Sequence, residues 1–404
     1  MSIAPCPVPD SQASPPGKIK RCLRVVLAAI ASVLAFLTAA ITLGAYFPAI
    51  PKAGVIGPVI GGQYPFHVAL LALVGAVPGA VAWRGGLVRW GRALTSVTAL
   101  SAIAALGIGG VQFTAARDAG TKVSFSQVFS RLASPGGAAP DTTRIYATRD
   151  GEALEADVYL ATKSRGNKVP AIVLAHAGGF HTFDKSDLRG TGRWLADRGV
   201  AVIAVDYRLA TPDRPTWDKA PQDLMTALGW TRDHADEYGI DSSRISLGGM
   251  SAGGTLAMNT AYRLQNGTMR ATDGTIPKPP FSVVGFYPGT DVDDMWKEDV
   301  AGTREAAELF TGGTPARYPE RYREVSPTTD IRKGLQRTLL VVGDRDRSAR
   351  PETIKDFGAS LQAKGVDTTV KELPFSEHAF DDAYGSLTSQ TSRRILLDFL
   401  NKNT

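Results

Sequence analysis

The sequence predicts an α/β protein in which a mostly parallel, doubly wound sheet follows an N-terminal bundle of about three transmembrane helices. Two observations lead to this prediction. Residues 25–116 contain three long runs with no charged side chain. From about residue 141, short apolar segments alternate with segments of helical spacing, which is typical of a parallel sheet covered by helices on both faces.

The formal net charge of +6 is distributed unevenly along the 404-residue chain. Residues 1–140 contain eleven Lys or Arg and two acidic residues, whereas the remainder contains 34 basic and 37 acidic residues. The positive charge therefore lies between apolar runs, as in membrane proteins, and we expect no nucleic-acid partner. The two cysteines, Cys6 and Cys22, allow no disulfide framework or cysteine-based metal site in the rest of the chain.

The charge-free runs predict membrane spans at about residues 25–47, 64–83 and 93–113, after a disordered basic N-terminus at residues 1–24. Each run exceeds the ~18 residues that indicate a transmembrane helix. A cleaved signal peptide is the alternative for the first run, and buried soluble helices are the alternative for the others. Lys and Arg cluster before the first span and between the second and third. The positive-inside rule therefore predicts a multi-pass protein of the cell membrane, with everything after residue 116 on the extracytoplasmic side.

Residues 117–140 are predicted to be a linker that ends in a flexible Pro- and Gly-rich hinge, and the α/β domain is predicted at 141–404. Short apolar or alternating segments predict strands at 144–147, 154–159, 171–175, 200–205, 245–248, 283–287, 338–342 and 368–373. Helical spacing predicts helices at 185–198, 221–237, 252–264, 352–364 and 392–400. Residues 289–336 are long, polar and rich in Gly and Pro, so we expect a cap or lid insertion there.

A serine lies between a predicted strand and a predicted helix near the middle of this array. Residues 249–253 read Gly-Met-Ser-Ala-Gly, and a sharp strand-to-helix turn needs such small neighbours around Ser251. The N-terminus of the following helix favours negative charge that develops beside it. Ser251 is therefore the candidate nucleophile, and an ordinary Gly-rich turn with an incidental serine is the alternative.

A glycine pair after the predicted strand 171–175 could stabilise an oxyanion. Attack by a serine on an ester produces a tetrahedral oxyanion that needs fixed N–H donors. Gly178 and Gly179 leave the backbone free to turn its N–H groups toward a ligand, and Ala252 follows the nucleophile directly. These three residues are the candidate donors, and a flexible glycine turn is the alternative for the pair.

His378 is the candidate general base, because it follows the last predicted strand at the sheet end where Ser251 also emerges. The carboxylate that orients this histidine is expected after the predicted strand 338–342. We prefer Asp346, which lies farther into that loop, and Asp344 is the alternative. The chain order Ser251, Asp346, His378 is the order used by α/β sheets that present the serine on a strand-to-helix turn.

These motifs resemble those of the α/β-hydrolase superfamily, and most closely the hormone-sensitive-lipase-like esterases with their bacterial carboxylesterase relatives. The resemblance covers about residues 141–404. It is carried by residues 176–179 (HAGG), 206–210 (DYRLA), 221–223 (PQD), Trp230, 238–241 (YGID), 249–254 (GMSAGG), Gly343, Asp346 and His378. It implies an α/β-hydrolase fold with Ser251 as nucleophile, His378 as general base and acid, and Asp346 as orienting acid. The chain departs from the family at Ala177, where a glycine is usual, and His181 matches no family mark.

The motifs and the resemblance imply a membrane-anchored serine carboxylesterase that works through an acyl-enzyme on Ser251. A small-molecule or lipid ester is the expected substrate, the lipid bilayer is the expected environment, and no metal or organic cofactor is expected. An acyltransferase or amidase with the same triad is the alternative enzyme. A catalytically silent membrane scaffold or sensor is the alternative that lacks turnover. The sequence predicts no oligomeric state.

Overall fold

The computed structural model describes residues 16–133, 138–162, 167–271 and 275–402, and it describes side chains from residue 23 onward. The chain divides into two compact units. One unit comprises Met1–Gly61 with Pro65–Ile108, and the other comprises Gly62–Tyr64 with Gly109–Thr404.

The first unit is helical. In the described residues its elements are α1 (Pro16–Tyr46), α2 (Ala53–Ile56), all but the last residue of a π-helical segment (Gly57–Gly62), α3 (Pro65–Arg84) and most of α4 (Val88–Asp118). Three of these helices, α1, α3 and α4, are long and apolar enough to cross a membrane, as the sequence predicted. A Cβ at Gly75 would lie 2.9 Å from Leu34 Cβ and 3.3 Å from Thr98 Cγ2, so the absent side chain lets these helices pack closely.

The long helices extend beyond the predicted spans. Helix α1 begins at Pro16, inside the predicted disordered N-terminus, of which residues 1–15 lie outside the described chain. Helix α4 extends beyond the predicted span 93–113 at both ends. A run without charge marks the part of a helix that suits lipid, whereas Arg89 and Arg117 can remain helical on either side of it.

The second unit contains a sheet of eight strands in the described residues. The strands are β1 (Thr142–Arg149), β2 (Glu152–Tyr159), β3 (Val169–Ala175), β4 (Ala201–Val205), β5 (Ile240–Met250), β6 (Ser282–Phe286), β7 (Arg337–Gly343) and β8 (Thr368–Leu373). Their order is β1-β2-β4-β3-β5-β6-β7-β8, with β2 antiparallel to β1 and β4 and all other neighbours parallel. The mostly parallel sheet predicted from the apolar strands is confirmed.

Helices pack on this sheet and share one apolar core with it. They are α6 (Arg189–Ala196), α7 (Ala220–Asp233), α8 (Ala252–Asn266), α12 (Pro351–Ala363) and α13 (Leu387–Asn401). Helices α9 (Val292–Glu298), α10 (Thr303–Thr311) and α11 (Pro319–Val325) contribute buried side chains to the same core. A short helix, α5 (Phe125–Ser130), precedes β1. Short 3-10 turns occur at Lys185–Leu188 and Pro327–Asp330. Strands β4, β6 and β7 are buried along their whole length, which explains why their sequences are almost uniformly apolar.

The predicted linker 117–140 is folded in its first part. Ser124 N donates to Gln390 Oε1 at 2.8 Å, and Gly385 N donates to the Arg131 carbonyl at 2.7 Å. These bonds join the segment around α5 to the start of α13. Residues 134–137 of the predicted hinge lie outside the described chain.

The predicted cap insertion, residues 289–336, contains α9, α10, α11 and the second 3-10 turn. The ring of Phe310 on α10 stacks on Phe180, with 4.0 Å between the ring centroids. Phe180 directly follows the glycine pair after β3, so the insertion packs against the loop that carries the candidate oxyanion donors.

A buried ion pair joins the loop after β4 to α7. Arg208 Nε lies 2.9 Å from Asp223 Oδ2, and an Arg208 terminal nitrogen lies 2.7 Å from Asp223 Oδ1. The backbone N–H of Arg208 donates to the same carboxylate at 3.0 Å. Both side chains are almost fully buried, so neither charge can be hydrated if the other is removed.

Replacing Asp223 by Ala should lower the free energy of unfolding by about 3–5 kcal/mol. Arg208 would lose its buried counter-charge and would keep only the half-exposed Asp150, whose carboxylate lies 2.8 Å from an Arg208 terminal nitrogen. Urea denaturation of the detergent-solubilised chain measures this change. Asp236→Ala is the matched control, since Asp236 pairs with Lys168 where both side chains are mostly exposed. We expect little change for the control. Equal losses of unfolding free energy in the two variants would contradict the expectation that the buried ion pair stabilises the fold more than the exposed one.

Candidate active site

Ser251 occupies a strained turn between β5 and α8. Its backbone has φ 50° and ψ −118°, a conformation that is unfavourable for a residue with a side chain. Ser251 N donates to the Phe286 carbonyl at 2.8 Å, which fixes the turn against β6. A Cβ at Gly249 would lie 2.3 Å from the carbonyl carbon of Gly253, and a Cβ at Gly253 would lie 2.3 Å from the Ala175 oxygen. The two glycines therefore allow the close approach that the sequence pattern predicted.

The structure brings the three candidate triad residues together. Ser251 Oγ lies 2.9 Å from His378 Nε2, and His378 Nδ1 lies 2.9 Å from Asp346 Oδ2. Asp346 Oδ1 accepts the backbone N–H groups of Ser348 at 2.9 Å and Ala349 at 2.7 Å. Because a buried carboxylate accepts at Nδ1, the neutral imidazole carries its proton there and leaves Nε2 free to accept the serine proton.

Asp344, the alternative acid, occupies a different environment. Its Oδ1 accepts the backbone N–H of Ser376 at 3.2 Å, and burial raises the pKa of its carboxyl group. Among the described residues no hydrogen bond joins Asp344 to His378, whereas Asp346 makes one. Of the two candidates, only Asp346 is therefore positioned to orient the imidazole.

Opposing effects act on the pKa of His378. Burial lowers this pKa, but the charge of Asp346 and its hydrogen bond raise it, with smaller contributions from Glu377 and Asp381. The net result is a raised pKa, so the surrounding carboxylates stabilise the imidazolium. A histidine that must hold a proton temporarily benefits from this arrangement.

The glycine pair after β3 lies in the left-handed region of backbone space. Gly178 has φ 112° and Gly179 has φ 57°, and a Cβ at Gly178 would lie 2.0 Å from the Thr182 oxygen. The Gly178 carbonyl accepts from the N–H groups of His181 and Thr182, both at 3.0 Å. Within the described chain, the N–H groups of Gly178 and Gly179 donate to no protein acceptor. They remain available to a bound ligand.

A cavity of about 300 Å³ joins these groups. Its lining includes Ser251, His378, Gly178, Gly179 and Ala252, so all the candidate residues except the buried Asp346 reach it. Met295 of α9 and Ala306 of α10 close another part of the wall. The described residues contain no group of three or more His, Cys, Asp or Glu side chains that could hold a metal ion.

Several site residues were not identified from the sequence. Tyr287 follows β6 with φ 37°, and its ring centroid lies 4.6 Å from that of His378. Its hydroxyl donates to the Asp381 carboxylate. Only the position after a buried strand could have indicated Tyr287. His181, which matched no motif, also lines the cavity, and its Nδ1 lies 2.8 Å from the Gly179 oxygen.

The sheet order and the serine on a strand-to-helix turn are those of an α/β hydrolase, which confirms the superfamily indicated by the sequence motifs. Residues 156–361 match the family described as BD-FAE. This match covers half of the chain, and the chain belongs to that family.

Curated relatives include two proteins of Mycobacterium tuberculosis. Esterase LipC is 29% identical over 215 residues, which cover 52% of this chain and 52% of LipC. The probable carboxylic ester hydrolase LipM is 26% identical over an alignment that covers 89% of this chain and 90% of LipM. The chain therefore spans about half the length of LipC, and it spans 7% of another relative, 5-methylorsellinic acid synthase of Aspergillus terreus.

Among solved structures, the fold is similar to the propionate-bound form of the thermophilic esterase Est2 from Thermogutta terrifontis. The TM-score is 0.55 at 23% identity, and the likeness covers 66% of this chain and 94% of Est2. At this identity the likeness concerns the fold. LipC and LipM are named as esterases, and this chain shares the α/β-hydrolase superfamily with them.

Replacing Gly253 by Ala should lower the free energy of unfolding by about 1–3 kcal/mol or more, because the added Cβ would overlap the end of β3. Gly229 on α7 is the matched control, since a Cβ there would meet nothing closer than Pro277 Cβ at 3.7 Å. Gly229→Ala should stabilise the helix by about 0.5–1 kcal/mol. Thermal unfolding of both variants tests the comparison, and a neutral Gly253→Ala would refute the close approach at the serine turn.

Proposed function

We propose that this chain is a membrane-anchored serine carboxylesterase that hydrolyses carboxylic esters through an acyl-enzyme on Ser251. The observation that carries the proposal is the continuous hydrogen-bonded sequence from Ser251 Oγ through His378 to Asp346, with 2.9 Å at each step. The esterase names of LipC and LipM support an ester as the substrate.

The chemistry follows from the positions of these atoms. Ser251 Oγ attacks the carbonyl carbon of the ester while His378 Nε2 takes the hydroxyl proton. The bond to the alcohol oxygen then breaks, and His378 gives its proton to the departing alcohol. Water repeats the sequence on the acyl-enzyme, releasing the carboxylic acid and restoring the serine. Asp346 accepts the hydrogen bond from His378 Nδ1 and thereby holds the imidazole in the required tautomer.

The oxyanion formed in each half of the reaction would accept hydrogen bonds from the N–H groups of Gly178, Gly179 and Ala252. The glycine N–H groups make no other bond among the described residues, and Ala252 is the first residue of α8, where helix amides lack intrahelical acceptors. Ala177, which replaces the usual glycine, supplies none of the three donors. The departure from the family motif is therefore compatible with activity.

In this proposal helices α1, α3 and α4 cross the cell membrane, and the catalytic domain lies on the extracytoplasmic side. The length and composition of these helices support the spans. Arg84, Arg89 and Arg92 surround the short connection between α3 and α4, and basic residues also precede α1. By the positive-inside rule both regions would be cytoplasmic, which leaves the chain after α4 outside.

A fluorophosphonate probe, which reacts with activated serines, should label the full-length chain and should not label Ser251→Ala. Ser348→Ala is the matched control, because Ser348 lines the same cavity but makes no bond to His378 in the described structure. This control should retain labelling. An unlabelled wild-type chain would contradict the proposed function and would favour a catalytically silent scaffold.

The cavity of about 300 Å³ lies at the small end of the range for ligand sites, so we expect short acyl chains to be preferred. With p-nitrophenyl esters, kcat/KM for acetate or butyrate should exceed that for dodecanoate by about tenfold or more. Met295→Ala should shift the preference toward longer chains, because Met295 forms part of the wall. A wild-type preference for dodecanoate would contradict the short-chain assignment.

A further inference from the structure

The loops that carry Asp346 and His378 lie side by side beyond the last two strands. Strands β7 and β8 pair in parallel up to Gly343 and Leu373, and β8 is the edge strand of the sheet. Past this point, Asp344 N donates to the Leu373 carbonyl at 3.0 Å, and Arg345 N donates to the Ser376 carbonyl at 2.9 Å. Backbone hydrogen bonds thus continue the strand pairing into the two loops that carry Asp346 and His378.

Glu377 extends this connection to the site itself. Its Oε1 accepts the backbone N–H of Arg347 at 2.8 Å and the backbone N–H of His378 at 3.2 Å. Its Oε2 accepts from Arg347 Nε at 2.7 Å. Arg347 directly follows Asp346, so a single carboxylate binds the main chain next to the acid and the main chain of the histidine. The Glu377 side chain is only 5% exposed.

The histidine loop needs such support because its backbone is strained. Phe375 and Ala379 have φ values of 53° and 54°, in the left-handed region that residues with side chains rarely adopt. Such conformations persist only when neighbouring contacts fix them. A buried carboxylate is also unfavourable unless it is paired and fully hydrogen-bonded, a condition that Glu377 meets through Arg347 and two backbone amides.

We propose that Glu377 is a positioning residue which, with Arg347, holds Asp346 and His378 at hydrogen-bonding distance. This inference rests on the proposed function, since it concerns the orientation of the base in that reaction. Glu377 is not part of the cavity lining, so it acts through His378 and does not contact the substrate.

The pH profile distinguishes a positioning role of Glu377 from a merely structural one, because Glu377 carries a charge close to His378. The titratable and charged groups around His378 are Asp346 and Arg347 on the acid loop, Glu377, Asp381 and Asp382 on its own loop, and Tyr287 after β6. Removing the negative charge of Glu377 lowers the pKa of His378. The acid limb of the pH profile, where the imidazole becomes protonated, then moves to lower pH.

Replacing Arg347 by Ala should have the opposite electrostatic effect on the pKa of His378. Removing its positive charge would by itself raise the pKa of His378, whereas separating His378 from Asp346 would lower it. A downward shift of the acid limb in Arg347→Ala therefore reports a loosened pair of loops and not the lost charge. Loss of folded protein would lower the amount of active enzyme without moving the limb in either direction.

The experiment measures kcat, KM and the pH profile of p-nitrophenyl acetate hydrolysis for the full-length chain in detergent. Glu377→Gln and Arg347→Ala should each lower kcat by about 10- to 100-fold with KM nearly unchanged, and both should move the acid limb to lower pH. The double variant should be no slower than the slower single variant, because both changes break the same connection. Arg347→Lys should restore part of the rate.

Glu372→Gln is the matched control. Glu372 lies on β8, the strand that precedes the histidine loop, and it forms an exposed ion pair of 3.1 Å with Lys355 on α12. Breaking this pair should leave kcat and the pH profile unchanged. The proposal is overturned if Arg347→Ala keeps wild-type kcat and an unmoved acid limb. Because Arg347 is one-third exposed, this variant decides the matter even where Glu377→Gln does not fold. A wild-type chain that cleaves no ester would refute the proposed function instead.

Discussion

The parallel alignment of the central strands is the constraint on which the site depends. Strands β3, β5, β6, β7 and β8 run in the same direction, so their carboxyl ends meet at one edge of the sheet. Each of them is followed by one group of the site, namely Gly179, Ser251, Tyr287, Asp346 and His378. Distant parts of the chain are thereby brought within hydrogen-bonding distance. Apolar burial of the strands, and not attraction among the polar groups, supplies the energy that holds them there.

Sequence reasoning was most successful where one physical requirement dominates the choice of residues. Fully buried strands need continuous apolar runs, and the turn at Ser251 needs glycines, so both produce a recognisable sequence pattern.

Asp346 was harder to distinguish from Asp344 by sequence, because the choice depends on how an irregular loop turns. Helix α13 begins at Leu387, five residues before the predicted start, since its first turns bury Ser and Thr side chains that look like loop residues. Met295 left no signal, and Tyr287 left only its position after a buried strand, because the residues that line a cavity follow neither a motif nor a period.

The cap insertion links the size of the cavity to the position of the oxyanion donors. A Cβ at Gly179 would lie 3.3 Å from Ala306 Cβ on α10, and the stacked pair of Phe180 and Phe310 joins the same two segments. Movement of α10 would therefore displace the glycine loop as well as the cavity wall. Substitutions in the insertion that widen the cavity should be chosen at Met295, whose side chain contacts the other side of the wall near Gly289.

The carboxylates around His378 do not contribute equally to its charge balance. Burial raises the pKa of Asp381, and burial with the neighbouring Asp381 and Asp187 raises that of Asp382 to about 6. Both shifts favour the neutral carboxyl group, so these two side chains lose their charge at a higher pH than ordinary aspartates. Asp346 instead accepts two backbone N–H bonds, and Glu377 accepts two backbone bonds and one from an arginine, so both carboxylates are fixed in place beside the histidine. Asp346 and Glu377 both raise the pKa of His378, so the bonds that fix the geometry of the two loops also hold the groups that stabilise the imidazolium.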